Sequence, residues 1–253
     1  MRRLLYTIAP VVIWLGLSVV APGQETRGQP GIRKPTIDDT VRATVYADNA
    51  FQLFINGELV AVDSIAFVPH NVVEVDILPA YPMTIAVMAI DNADPATGME
   101  YANTSIGDGG FILKLGDGTV TDASWKAKRI AWGPVDGDTE NPRVEHVPVP
   151  AGWSDEGFDD SAWPHATEYS EATVDPKQPY FAHDFEGARF IWSDDLKLDN
   201  VVLFRTVIPA PPDGIARPDF RGLTNTVPES PRRGRGGGTR SRRGSQRQNG
   251  GKR

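Results

Sequence analysis

The sequence predicts an all-β protein that folds as a single β-sandwich of the jelly-roll type. Short apolar runs recur at roughly regular spacing, with Gly, Pro, Asn and Asp between them, as in sandwiches and jelly rolls. No stretch shows helical periodicity over three turns. The 253 residues include no cysteine, so stability must come from a packed core and not from disulfides.

The clearest single element is a β-hairpin in the segment VYADNAFQLFINGELVAV, residues 45–62. Phe51, Leu53 and Ile55 alternate with Gln52 and Phe54, which is the period of a half-buried strand. Asn56-Gly57 is typical of a type I′ turn, in which both central residues have positive φ. Residues 58–62 then return as the partner strand. The turn sets two expected cross-strand pairs, Leu53 with Val60 and Phe51 with Val62.

The remaining strands follow from the same patterning. Residues 83–90 are apolar on both faces, as expected of a central strand. Gly116-Asp117-Gly118 predicts a hairpin loop between two short strands. Besides 51–55 and 58–62, the predicted strands are 41–47, 72–77, 83–90, 111–115, 119–121, 125–130, 191–192 and 201–208.

A looser, proline-rich segment lies between 133 and 183, and it is too long for an ordinary loop. Its aromatic residues predict that it packs across the sandwich as a cover. These residues are Trp153, Phe158, Trp163, Tyr169, Tyr180 and Phe181.

The termini predict export. Arg2 and Arg3 precede an apolar run that ends at Val20, and Ala21-Pro22-Gly23 provides small residues before Gln24, which is typical of a signal peptide. An uncleaved anchor is the alternative. The predicted organisation is a signal peptide at 1–23, a linker at 24–35, the β-sandwich at 36–210 and a disordered Arg/Gly-rich tail at 211–253. The expected location is secreted, periplasmic or on the cell surface, with no membrane contact after cleavage.

Charge is distributed unevenly along the chain. Of the 26 basic residues, Arg2, Arg3 and the nine in 231–253 lie near the ends, whereas all 33 acidic residues lie between, so the middle carries about −18. The basic tail resembles arginine–glycine segments that bind RNA. In an exported protein it predicts an extracellular polyanion as partner rather than intracellular nucleic acid, with a purely solubilising tail as the alternative.

Several motifs resemble the galactose-binding-like β-sandwiches that serve as accessory modules of rhamnosidase-type and β-galactosidase-type glycoside hydrolases. The hairpin with its Asn-Gly tip is one of them. The others are TDASWK at 121–126, GW at 152–153 followed by FDDSAW at 158–163, GARFIW at 187–192 and DNVVLFR at 199–205. In that family the last pair precedes the hairpin, whereas here it follows. The resemblance implies a non-catalytic sugar-binding module and core positions for Trp125, Trp163 and Trp192.

Sugar recognition requires an aromatic surface for the C–H face of the ring and polar groups for its hydroxyls. The candidate carbohydrate-binding residues lie in loops or at strand ends. They are Tyr101, Trp132, Glu100, Asn103, Asp48, Asn49 and Arg189. For Asp48-Asn49, a turn that caps the strand is an equal alternative.

The sequence predicts no cofactor other than a structural calcium ion, for which two short segments provide hard oxygen ligands. Asp136, Asp138 and Glu140 cluster in one short segment, and Asp91 to Asp94 is a second such group. Solvated turn residues are the alternative.

Catalytic motifs are missing from the sequence: there is no GxSxG, HExxH or P-loop, and the four histidines have no ligand spacing. The leading expectation is a secreted, non-catalytic carbohydrate-binding or cell-surface adhesion module. The alternatives are an accessory domain or remnant of a glycoside hydrolase or esterase, and a structural extracellular protein without a small ligand.

Overall fold

The computed structural model describes residues 34–63 and 70–221. Within them strands dominate, and the helices are one short α-helix, α1 (Glu171–Val174), and three 3-10 helices at Ile37–Asp39, Val135–Gly137 and Tyr180–Ala182. The strands are β1 (Val41–Asp48), β2 (Ala50–Ile55), β3 (Glu58–Val62), β4 (Val72–Ile77), β5 (Met83–Ile90), β6 (Met99–Glu100), β7 (Ser105–Ile106), β8 (Gly110–Leu115), β9 (Lys126–Trp132), β10 (Glu145–His146), β11 (Thr167–Tyr169), β12 (Phe190–Trp192) and β13 (Asp199–Ile208). The predicted signal peptide, most of the linker and the tail beyond 221 lie outside the described residues.

Two antiparallel sheets hold eleven of these strands. One has the order β11-β12-β8-β1-β4, and the other has the order β10-β9-β13-β5-β2-β3. Side chains from both sheets share one buried core. Phe111 of β8 stacks on Phe204 of β13 with 5.5 Å between ring centroids, and Phe51 of β2 lies 6.4 Å from Phe111. The predicted all-β, sandwich-like architecture is therefore confirmed.

Most strand positions agree with the sequence prediction. The expected central strand, β5, lies between β13 and β2 and is buried on both faces. Trp125, Trp163 and Trp192 are buried, as expected of core positions. The predicted strand 119–121 is reduced to a single bridge between Val120 and Lys114, because the chain turns directly afterwards, where the Ser124 amide donates to Asp122 Oδ1.

The β2–β3 hairpin has the predicted turn but not the predicted register. Asn56 and Gly57 have φ angles of 49° and 84°. A bulge then shifts the pairing, so that Leu53 pairs with Ala61 and Gln52 with Val62. The predicted pairs of Leu53 with Val60 and Phe51 with Val62 are wrong. Because β3 is an edge strand with a bulge, Leu59 and Val62 are about half exposed, at 54% and 53%.

We expect replacement of Gly57 by valine to lower the free energy of unfolding by about 1–3 kcal/mol. The added Cβ would lie 3.4 Å from Asp155 Oδ1, an ordinary contact, so the cost comes from forcing a β-branched residue to positive φ. Urea denaturation measures the change. Glu58→Val is the matched control, because it places the same side chain at an exposed strand position. Equal stability of the two variants would contradict the type I′ assignment.

A second apolar cluster lies on the outer face of the six-stranded sheet. Ala86, Ile130 and Leu203 of the sheet pack there against Trp153 and Trp163, which are each 7% exposed. Phe158 also packs onto this cluster. The predicted cover over the sandwich is thus present at residues 153–163, the part of the proline-rich segment that contains Trp153, Phe158 and Trp163. Phe181, at 55% exposed, does not contribute to it.

The C-terminal described residues continue past Ala210 along the domain. Phe220 is 5% exposed, and the Arg221 guanidinium donates to Glu156 at 3.2 Å. Both residues line a surface groove with side chains of β3 and β4, such as Val60 and Val75. The segment 211–221 therefore contacts the domain whose end was expected at 210.

Within the described ranges 34–63 and 70–221, every helix is too short or too polar to cross a bilayer.

Candidate functional site

Strand ends from both sheets meet at one end of the sandwich, which we call the polar end. In one sheet Asp48 of β1 pairs with Gly110 of β8, and in the other Asp199 of β13 pairs with Trp132 of β9. The main-chain amide of Asn49, which follows β1, donates to the carbonyl of Ile90 in β5 at 3.0 Å, and this bond joins the two sheets there. The polar end therefore gathers loops that are distant in sequence.

Buried carboxyl groups are concentrated at the polar end. Asp48, Asp91 and Glu100 are 1%, 3% and 4% exposed. Asp91 and Glu100 share a hydrogen bond, and burial together with the neighbouring Glu100 charge raises the pKa of Asp91 to about 9. Burial also raises the pKa of Glu100. The pair therefore retains a proton at neutral pH.

Asp48 and Asn49 are held by hydrogen bonds within the protein. Asp48 Oδ1 lies 2.8 Å from His70 Nδ1 and accepts from Asn49 Nδ2 at 2.8 Å. Asn49 Oδ1 accepts from the main-chain amide of Asn92 at 2.7 Å. Burial raises the pKa of Asp48 to about 8 and lowers the pKa of His70. These contacts make Asp48 and Asn49 part of the framework that positions the following loop.

A cavity of about 340 Å³ opens beside this framework. Its apolar walls and a small number of polar groups suit a small ligand. The polar lining includes Asp91, Asp94, His146 and Asn200, and the apolar lining is Ile90, Ala93, Pro95, Ala131, Val144 and Val201.

Asn200 is the most unusual residue of this cavity. It is 6% exposed, and neither Oδ1 nor Nδ2 of its side chain has a hydrogen-bond partner among the described residues. Asp91 Oδ1 also lacks a partner there. Unpartnered buried polar atoms cost about 1–3 kcal/mol each, so such atoms beside a cavity indicate a place where a polar ligand is accommodated.

A β-bulge positions Asn200. Asp199 pairs with Trp132 and Val201 pairs with Ala131, which leaves Asn200 as the extra residue between these pairs. Bulges redirect side chains and are common next to functional sites. Sequence reasoning placed Asn200 in a strand motif and missed this role, because the bulge depends on how β9 and β13 meet.

The other predicted sugar-binding residues at the polar end lie around the cavity, outside its lining. Glu100 shares a hydrogen bond with Asp91, and the next residue, Tyr101, is 66% exposed. Asn103 Oδ1 accepts from the Thr97 hydroxyl at 2.5 Å. Trp132 follows the wall residue Ala131, and the Arg129 guanidinium lies 4.2 Å from the centre of its ring. One face of Trp132 is therefore already covered.

Arg189 lies away from the polar end. Its amide donates to the Thr121 carbonyl at 2.9 Å, and it lines a different surface depression with Glu168 and Tyr169. The structure does not bring it together with the other predicted residues.

The predicted calcium ligands Asp136, Asp138 and Glu140 lie in an exposed turn. Asp138 Oδ1 accepts hydrogen bonds from the amides of Glu140 and Asn141, at 3.1 and 3.0 Å. In the described part of the chain, no group of three or more His, Asp or Glu side chains is arranged to hold a metal ion. A structural calcium ion stays a prediction.

No protein-family model matches the chain, and neither curated proteins nor solved structures include a significant match to it.

Proposed function

We propose that this protein is a non-catalytic carbohydrate-binding module, exported from the cell, whose ligand enters the cavity beside Asn200. The observation that carries the proposal is the buried side-chain amide of Asn200 in the cavity lining, which has no hydrogen-bond partner in the described part of the chain. An amide offers one acceptor and two donor hydrogens, which match adjacent hydroxyls of a sugar ring.

The apolar cavity wall supports the same ligand class. Ile90, Val144 and Val201 present aliphatic carbon to the cavity, and a pyranose has an apolar C–H face. Tyr101 is the exposed aromatic side chain of the neighbouring loop, and in this proposal it contacts sugar residues beyond the first. A galactose-binding-like jelly roll is the topology that this proposal favours, and an extracellular polyanion is the proposed partner of the basic tail.

The paired carboxyls Asp91 and Glu100 make the glycosidase alternative less favourable. They share a hydrogen bond, so they lie closer together than the ~5 Å that a retaining glycosidase needs between its two carboxyl groups. Binding without hydrolysis is the better match to this geometry.

A glycan array with the full-length protein tests the proposal, followed by calorimetric titration of the glycans that bind. We expect Asn200→Ala to weaken binding about ten-fold, because two hydrogen bonds to neutral hydroxyls are lost. Tyr101→Ala should weaken binding of longer oligosaccharides more than of single sugars.

Asn141→Ala is the matched control, since Asn141 is exposed in the turn at Asp138. A variant at Asn200 that stays folded and binds like the parent would place the ligand elsewhere. If no glycan binds, the structural-protein alternative replaces this proposal.

A further inference from the structure

The cavity beside Asn200 presents two unpartnered acceptors that come from different segments of the described chain, Asp91 Oδ1 and Asn200 Oδ1. Both are buried without a partner among the described residues, and Asn200 Nδ2 is the single unpartnered donor group. A hydroxyl group donates one hydrogen, whereas a primary ammonium group donates three. An ammonium can therefore serve both acceptors at once.

Acidic side chains outnumber basic ones at the polar end, which favours a cation in the same place. Burial, and beyond it Glu100, Asp48 and Asp108, raise the pKa of Asp91, and Asp94 also lines the cavity. The basic groups nearby are fewer: His146 lines the cavity, and Arg129 is 3.5 Å from Asp199 Oδ1. Lys177 lowers the pKa of Asp48, an effect smaller than that of burial, which raises it.

We propose, resting on the carbohydrate-binding function above, that the cavity recognises a sugar carrying a primary ammonium group, which Asp91 and Asn200 bind together. The sugar ring contacts Ile90, Val144 and Val201, and the ammonium lies against the Asp91 carboxylate. Binding requires that Asp91 be ionised, so the proton held by the Asp91–Glu100 pair leaves when the ligand enters.

Three tetrasaccharides with the same β-1,4-linked gluco backbone separate charge from shape: glucosamine, N-acetylglucosamine and glucose oligomers. The full-length protein is titrated with each at pH 7 in 150 mM salt. We expect the glucosamine oligomer to bind at least ten-fold more tightly than the other two. Asp91→Asn should remove this preference, whereas Asp136→Asn, at an exposed acid elsewhere, should keep it.

Proton release gives a readout that needs no variant. Titration at pH 5.5, where the ligand amines are fully protonated before binding, in two buffers of different ionisation enthalpy should show release of close to one proton per glucosamine oligomer bound and none for the glucose oligomer. Because burial and the Glu100 charge raise the pKa of Asp91 to about 9, raising the pH toward 9 reduces the number of protons released.

The outcomes distinguish this inference from the function on which it rests. Equal affinity for all three oligomers, lost in Asn200→Ala, overturns the ammonium inference and leaves carbohydrate binding intact. A preference for glucosamine that Asp91→Asn does not change, or binding without proton release, also overturns it. If cyclohexylamine binds as tightly as the glucosamine oligomer, ammonium recognition holds and the carbohydrate function fails. No binding of any compound overturns both.

Discussion

Replacing Arg205 with methionine should lower the free energy of unfolding by about 3 kcal/mol or more. Arg205 is 1% exposed in β13, and its Nε donates to Asp160 Oδ2 at 2.9 Å. Its guanidinium also donates to the carbonyls of Trp153 and Asp155. Removing this one side chain leaves the Asp160 carboxylate and the Trp153 carbonyl without their donor, whereas the Asp155 carbonyl still accepts from the Phe158 amide at 3.2 Å.

Urea denaturation measures the loss, and limited proteolysis shows whether residues 150–163 become accessible. Arg42→Met is the matched control, because Arg42 pairs with Asp76 in an exposed setting where ion pairs contribute little. If Arg205→Met loses less than about 1 kcal/mol, the cover is held by its apolar contacts and Arg205 is not its main anchor.

Replacing Trp192 with alanine should cost about 3–5 kcal/mol, the range for a large buried aromatic residue. Trp192 is fully buried, its ring lies 5.9 Å from that of Phe204, and Nε1 donates to the Asp199 carbonyl at 2.8 Å. A Cβ added to Gly109 would lie 2.2 Å from Trp192 Cε2, so the indole fills the space directly above this glycine. Its loss leaves a cavity next to the bulge that positions Asn200.

Trp192→Phe separates packing from hydrogen bonding. It keeps most of the apolar contact and removes the indole donor, so the expected loss is nearer 1–2 kcal/mol. Thermal and urea unfolding of both variants provide the comparison. Equal losses for alanine and phenylalanine would show that the bond to Asp199, and not the volume of the ring, determines the contribution of Trp192.

Local patterns were sufficient to predict most strands. The alternation at 51–55, the doubly apolar run at 83–90 and the Asn56-Gly57 turn each depend on neighbours in sequence, and all three are present in the structure. The register of β2 with β3 could not be predicted in the same way, because a bulge on an edge strand is decided by what the strand packs against. The very short strands, such as β6 and β7, contain too few residues for a periodicity.

The candidate site could be predicted only in part. Asp48, Glu100 and Tyr101 were identified from their loop positions, and the structure brings them to one end of the sandwich. The cavity was not predictable, because Ile90, Val144 and Asn200 come from distant segments. The anchoring role of Arg205 was also missed, since an arginine within an apolar strand gives no sign of the carbonyl groups it meets.

The position of β13 governs the order in which the sandwich can assemble. β13 is the last strand of the described residues, yet it lies between β5 and β9 near the middle of its sheet. A growing polypeptide that has reached residue 198 contains both neighbours of this strand but not the strand itself. The sheet therefore closes only after residues 199–208 have been synthesised, and its closure joins segments more than a hundred residues apart, a topology that favours slow folding. Any fragment that ends before Asp199 leaves two long strand edges open to pairing with other chains.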